Sequence, residues 1–225
     1  MKYRCIPLVL ACITKVHADT LDTKPAAPSP ESVDFSLQID ARKNQSHYAT
    51  FSAMRRGIRV HDIPYQKALT EYVWHKRNNY EIGYSDEFKI TGLVLSKRHY
   101  IGDERADISP YDMVVGWGPM SDPNIIKDIN VRQNNRFYYW NVSEFPIPRK
   151  ELELNSTNLH LVPNTEEIAK ALANLKKGDV VELVGYLVDI KDEDGFIWAT
   201  SRVRSDSGDG ACEIVLVERL RVQND

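Results

Sequence analysis

The stretch from Asn164 to Val222 constrains the fold most. Glu166 to Lys177 carries Ile168, Leu172 and Leu175 at i, i+4 and i+7, an apolar stripe of helical period, and Ala169, Ala171 and Ala173 favour the helical state. Asn164 is placed to cap this helix with Glu167 reaching back, Lys176 and Lys177 suit its negative end, and Gly178 closes it. Three strand-length segments follow: Val180–Ile190, Phe196–Val203 and Cys212–Val222. Lys191-Asp-Glu-Asp-Gly195 joins the first two as a hairpin-length turn.

Upstream, Tyr80–Tyr84 and Phe88–Ser96 read as two strands joined by Ser85-Asp-Glu87, and Arg136–Val142 has the aromatic and β-branched composition of a strand. Pro64–Trp74 suits a short helix with proline in its first turn, Ile108–Val115 another capped by Ser109, and Asp122–Asp128 a third capped by Asp122. Val33–Ile39 alternates with a period of two. The elements mix without strict βαβ alternation. The expected class is α+β: a single domain with a largely antiparallel sheet, short helices, and a C-terminal three-stranded meander behind one amphipathic helix.

The chain of 225 residues is long enough for one domain with a full core. Its start reads as an address. Lys2 and Arg4 precede the apolar run Cys5–Thr14, and Val16-His-Ala18 offers small residues at −3 and −1, so a signal peptide is expected over 1–18 with cleavage after Ala18. A lipid-attachment box at Val9–Cys12 is the minor alternative. Leu21–Glu31, with three prolines, reads as a linker within 19–32, and residues 33–225 form the domain, 33–75 being an extension of it. No run of 18 apolar residues exists, so no membrane-spanning helix is expected in the mature chain. The compartment expected is periplasmic or extracellular.

Removing Lys2, Arg4 and Lys15 takes the 29 basic residues to 26 against 32 acidic ones, a net charge of −6. That sign repels phosphate backbones and disfavours a nucleic-acid partner. Cys5 and Cys12 leave with the same segment, so Cys212 stands alone and no intramolecular disulfide forms.

Several strings taken in order, Leu95-Ser-Lys-Arg-His-Tyr100, Gly116-Trp-Gly-Pro-Met-Ser-Asp122, Arg136-Phe-Tyr-Tyr-Trp140, Phe145-Pro-Ile-Pro-Arg149, Asn158-Leu-His-Leu-Val-Pro163, Gly178 to Val188 and Gly208-Asp-Gly-Ala-Cys-Glu213, resemble a family of small exported or membrane-anchored proteins of Gram-negative bacteria. The likeness covers about residues 79–220. It implies an envelope location and transfers no catalytic residue.

Candidate chemistry is sparse. Cys212 and His160 are the pair suited to thiol catalysis, with Asp206, Asp209 or Glu213 as orienting acids. The alternative for Cys212 is a small apolar side chain opening the last strand. No two of the six histidines fall at i, i+3 or i+4, Asp192-Glu-Asp-Gly195 lacks the flanking acids of a calcium loop, and no phosphate-loop motif is present, so no metal and no cofactor is expected. On the strand 136–142 core packing is the favoured reading, and Arg136, Tyr138 and Trp140 could otherwise stack a sugar or base. Arg202 and Arg204 share a face and could grip an anion, against the alternative of pairing with Glu193 or Asp206. The leading expectation is an envelope binding or accessory module without catalysis, recognising a partner protein or an envelope ligand. The alternatives are a cysteine-dependent hydrolase built on Cys212 and His160, and an oligosaccharide-binding sheet in which the C-terminal strands join a small five-stranded barrel.

Overall fold

The computed structural model describes residues 57–203 and 212–223. The expected signal peptide, the linker, the strand at Val33–Ile39, and Arg204, Asp206 and Asp209 lie outside them.

The protein is mostly β. Strands β1 (Tyr65–Arg77), β2 (Tyr80–His99) and β3 (Tyr111–Gly116) lead into a 3₁₀ turn at Gly118–Ser121, a short helix α1 (Pro123–Ile126) and a hairpin of β4 (Asn130–Asn134) and β5 (Phe137–Asn141). Then come α2 (Arg149–Leu154), β6 (Ser156–Pro163), α3 (Glu166–Asn174), β7 (Val180–Lys191), β8 (Ile197–Trp198) and β9 (Glu213–Gln223). Seven strands form one mixed sheet in the order β1-β2-β3-β6-β9-β7-β8, and β2 also pairs with β7. That extra pairing closes β2, β3, β6, β9 and β7 into a five-stranded ring.

The expected α+β class with its largely antiparallel sheet is therefore corrected. Pairing is mixed, since β6 and β9 run parallel, Leu159 facing Glu213 and Pro163 facing Val217. The C-terminal meander is corrected too: β8 is two residues long, and β9 inserts between β6 and β7 instead of following β8.

Local sequence explains which expectations failed. Pro64–Trp74 forms most of β1, because Thr70, Tyr72, Val73 and Trp74 fit a pleated surface and β2 supplies the partner. Ile108–Val115 becomes the start of β3, where Tyr111–Gly116 pair with both β2 and β6. Tyr80–His99 is one strand of 20 residues rather than two. Ser85 is absorbed as a bulge against β7, which bends a strand long enough to touch three partners.

Alternate residues of the ring fill one core: Phe88, Ile90, Met113, Val115, Leu159, Leu161, Leu183, Leu187, Val215 and Val217. At Gly185 a side chain would collide with the Leu216 carbonyl, so glycine is what allows β7 and β9 to approach at the register shift between them. The helix expected over 166–177 stops at Asn174, and its N-cap is Thr165, whose hydroxyl accepts from the Ile168 amide, not Asn164. Its last carbonyls, on Leu172 and Ala173, accept from Lys97 Nζ at 2.9 and 2.6 Å, so a cation from β2 does what Lys176 and Lys177 were expected to do. Leu172 and Leu175 carry the helix into the core. No helix among the described residues is long and apolar enough to cross a membrane.

Candidate functional site

A second apolar cluster lies on the other side of the sheet: Ile82, Ile108, Val162, Val188, Ile190, Ile214 and Leu216, with Trp198 against it. In its midst β3 and β6 carry polar residues. Asp112 faces His160 directly across the antiparallel pair, and Asp112 Oδ1 lies 2.9 Å from His160 Nδ1. Asp112 is fully buried and His160 is 3% exposed.

Arg136 reaches this pair from the tip of the β4–β5 hairpin. Asn135 and Arg136 have φ of 48° and 67°, the two left-handed residues of a tight hairpin turn. Holding arginine there is strained, and its contacts sustain the strain. Nη1 donates to Asp112 Oδ1 at 2.9 Å and to the Ser109 carbonyl at 2.8 Å, while Nε and Nη2 fork onto Asp103 at 3.0 and 2.7 Å. The guanidinium lies 3.9 Å from the centroid of the Tyr100 ring. The Arg136 amide donates to the Tyr100 hydroxyl, and its carbonyl accepts from Asn158.

Two connections close over this face. Residues 100–110 are tied down by Asp103 on Arg136, by Asp107 accepting from the Tyr80 hydroxyl, and by the Tyr100 amide donating to the Pro110 carbonyl. The connection from β7 to β9 brings Trp198, whose ring centre lies 4.7 Å from that of His160. Arg105 lies over both Trp198 and Phe196, joining the two connections.

The electrostatics follow from burial. Desolvation alone would lower the His160 pKa, but the Asp112 carboxylate outweighs it by charge and hydrogen bond, with the Cys212 thiol adding to the effect, and the pKa is raised well above the ordinary imidazole value. His160 is therefore protonated at neutral pH. Two cations, Arg136 and His160, then face two carboxylates, Asp103 and Asp112, and the cluster balances. Asp112 Oδ2 is buried without a hydrogen-bond partner among the described residues, the contacts of Arg136 and His160 both falling on Oδ1. Burial pushes the Tyr100 phenol up to about 12, the nearby Asp112 charge acting the same way.

Cys212 lies near enough to His160 for its sulfur to contribute to the raised imidazole pKa. Cys212 is half-buried, and Asn158 Nδ2 points at its sulfur from 4.0 Å. The orienting acid is Asp112, not the ones expected. Glu213 is turned away from His160, accepting from the Thr157 hydroxyl, and Asp206 and Asp209 are outside the described residues.

Other candidates are placed differently. Tyr138 and Trp140 pack against the core, the reading weighed against stacking for them, while Tyr139 is exposed on the hairpin. Burial pushes the Tyr138 phenol up to about 12. Arg202 pairs with Asp189 at 2.5 Å and Asp86 at 3.9 Å, the ion pairing anticipated for it but with other partners, and it lies outside any strand. Asp192–Gly195 is a hairpin turn closed by Asp192 accepting from the Phe196 amide, and no cluster that could hold a metal occurs among the described residues. A surface depression of about 490 Å³, lined by Leu95, Ile126, Ile129, Val131, Lys127 and Lys177, shares no residue with the His160 cluster.

Asp112, Asp103, Tyr100, Asn158 and Trp198 escaped the sequence reading. The available signal was one acid inside the apolar run Tyr111-Asp-Met-Val-Val115, which only a strand reading would have set apart from its neighbours.

Five strands, β2, β3, β6, β9 and β7, thus close into a ring with α3 between β6 and β7, and residues 100–110 and 196–203 lie over its β3–β6 face. No family model and no curated protein matches the chain. Among solved structures it is similar to the small single-stranded DNA-binding protein from Streptomyces coelicolor, at 10% identity and a TM-score of 0.22, over 72% of this chain and 93% of that one.

Proposed function

We propose that the protein is an exported binding module without turnover chemistry, and that it meets a protein partner through the two connections over β3 and β6. The observation that carries this reading is the roof itself. Ile101, Phe196, Ile197 and Val203 are exposed on it, apolar side chains suited to a protein surface, while Arg136, Asp112 and His160 brace it from beneath. Five-stranded barrels of the oligonucleotide/oligosaccharide-binding type, whose strand order this ring shares, take ligands on the corresponding face, a fold-level analogy. Export rests on the charged and apolar opening residues.

A second reading, the cysteine-dependent hydrolase, is favoured by the contact of Cys212 with His160 and of His160 with Asp112. A protonated His160 does not count against it, since a thiolate beside an imidazolium is the reactive form of such a pair.

A photo-crosslinking residue at position 197, in protein expressed in its host, tests the leading reading. Discrete protein adducts at 197, unchanged by Cys212→Ala and missing from a control position at Tyr65, are expected. Equal labelling at both positions, or loss of the adduct with Cys212→Ala, overturns it. Intact mass of the recovered chain should begin at Asp19; a chain retaining Met1 removes export.

A further inference from the structure

We propose that the depression beside α1 and β4 is the seat of the chain's own segment Val33–Ile39, which binds there in cis. This goes beyond the binding reading and does not rest on it. The depression shares no residue with the roof over β3 and β6, and the segment stays in the chain whether or not residues 1–18 are removed.

The match begins with apolar pattern. Leu95, Ile126, Ile129 and Val131 floor a space of about 490 Å³, within the roughly 300–1,000 Å³ in which proteins hold a bound group. Such a floor calls for apolar side chains delivered on one face. Val33-Asp-Phe-Ser-Leu-Gln-Ile39 delivers them, since its alternation sets Val33, Phe35, Leu37 and Ile39 on one side of an extended chain. No other stretch between Asp19 and Arg56 holds four large apolar residues within seven positions.

Charge selects the same segment. Lys127 and Lys177 line the depression, are exposed, and form no ion pair among the described residues, and they outnumber the one acid beside them, Asp128. Residues 31–40 carry Glu31, Asp34 and Asp40 and no base. Phe51 and Met54 stand nearer in sequence, but Arg55 and Arg56 follow them and repel the two lysines.

Reach is assured by where the described chain begins. A side chain at Gly57 would strike the Asp122 carboxylate, the N-cap of α1, and Arg59 donates to the Gly178 carbonyl at 3.0 Å, next to Lys177. The chain thus enters along the rim of the depression. Residues 40–56 separate it from the segment, a tether that spans up to about 60 Å when extended. A flexible tether of this kind presents the segment at an effective concentration of about a millimolar.

A photo-crosslinking phenylalanine analogue at position 35 of the full-length protein tests this, with adducts mapped by peptide mass. The expected product is a crosslink within one chain, from position 35 to residues 123–131. Reversing both exposed lysines, Lys127→Glu with Lys177→Glu, should lower its yield severalfold, and adding Asp34→Lys with Asp40→Lys should recover it. An adduct joining two chains, one scattered over the sheet, or none overturns the proposal, as does a yield indifferent to the lysine reversal. Loss of the crosslink at position 197 would leave the crosslink from position 35 unchanged, so the two readings fail separately.

Discussion

Two arginine–carboxylate clusters in this protein share a composition and differ in setting. Arg136 meets Asp103 and Asp112 with its side chain 12% exposed, while Arg202 meets Asp86 and Asp189 with its side chain 45% exposed. In the second cluster Tyr72 crosses over Gly83 to donate to Asp189 at 2.7 Å, and the Thr200 amide donates to the other oxygen. A Cβ at position 83 would strike the Tyr72 hydroxyl, so glycine there is what lets β1 reach β7. Water can take over for Arg202 when a partner is lost. It cannot for Asp112, which has no exposed surface and answers two cations at once. The same residue types thus make a brace in one place and a rim contact in the other, and burial decides which.

Removing Asp112 should give the widest separation between the clusters. Asp112→Asn leaves the buried His160 without its counter-ion and Arg136 with Asp103 alone, and should cost about 3–5 kcal/mol in urea unfolding. Asp189→Asn, where the acid is buried but Arg202 stays half open to water, should cost less, about 1–2 kcal/mol. Equal losses would break the comparison. Next comes the fork. Arg136→Lys should lose about 2 kcal/mol, because an ammonium cannot reach Asp103, Asp112 and the Ser109 carbonyl together, whereas Arg202→Lys should change stability by less than about 1 kcal/mol.

Only the first cluster should respond to pH near neutrality. His160 has a folded pKa above its unfolded value, so its stabilisation is complete below the unfolded pKa of about 6.5 and fades as pH rises from there toward the folded value. Melting temperature followed from pH 6 upward should fall in the wild type and flatten in His160→Gln. A wild-type curve that rises over this range would show that His160 is not held protonated. The smallest effect belongs to the rim. Tyr72→Phe removes one hydrogen bond to Asp189 and should cost about 0.5–1 kcal/mol, measured by the same urea titration.

Legibility in the sequence followed range. The strands Val180–Lys191, Glu213–Gln223 and Phe137–Asn141 were readable, as was the helix over 166–174, because each announces itself by a local period or by composition. The segment 196–203 was read as a strand on the same grounds, yet only Ile197 and Trp198 pair, leaving the remainder to Asp189 and Arg202. At the site, His160, Cys212 and Arg136 stood out by type, but their partner Asp112 did not. The acids near Cys212 in sequence looked like its orienters, whereas Asp112, a hundred residues away, faces His160 across a strand pair. Tyr138 and Trp140 show the same limit: alternation separates two faces, and which of them turns inward depends on where the hairpin lands.

By itself, then, the chain's local pattern determined where β2, β5, β7, β9 and the helix α3 lie, since periodicity acts over a few residues. The closing of β2 onto β7, the parallel pairing of β6 with β9, and the meeting of Arg136, Asp112, His160 and Cys212 were decided in three dimensions. Each joins residues distant in sequence, and their energy comes from mutual burial that no single segment can provide.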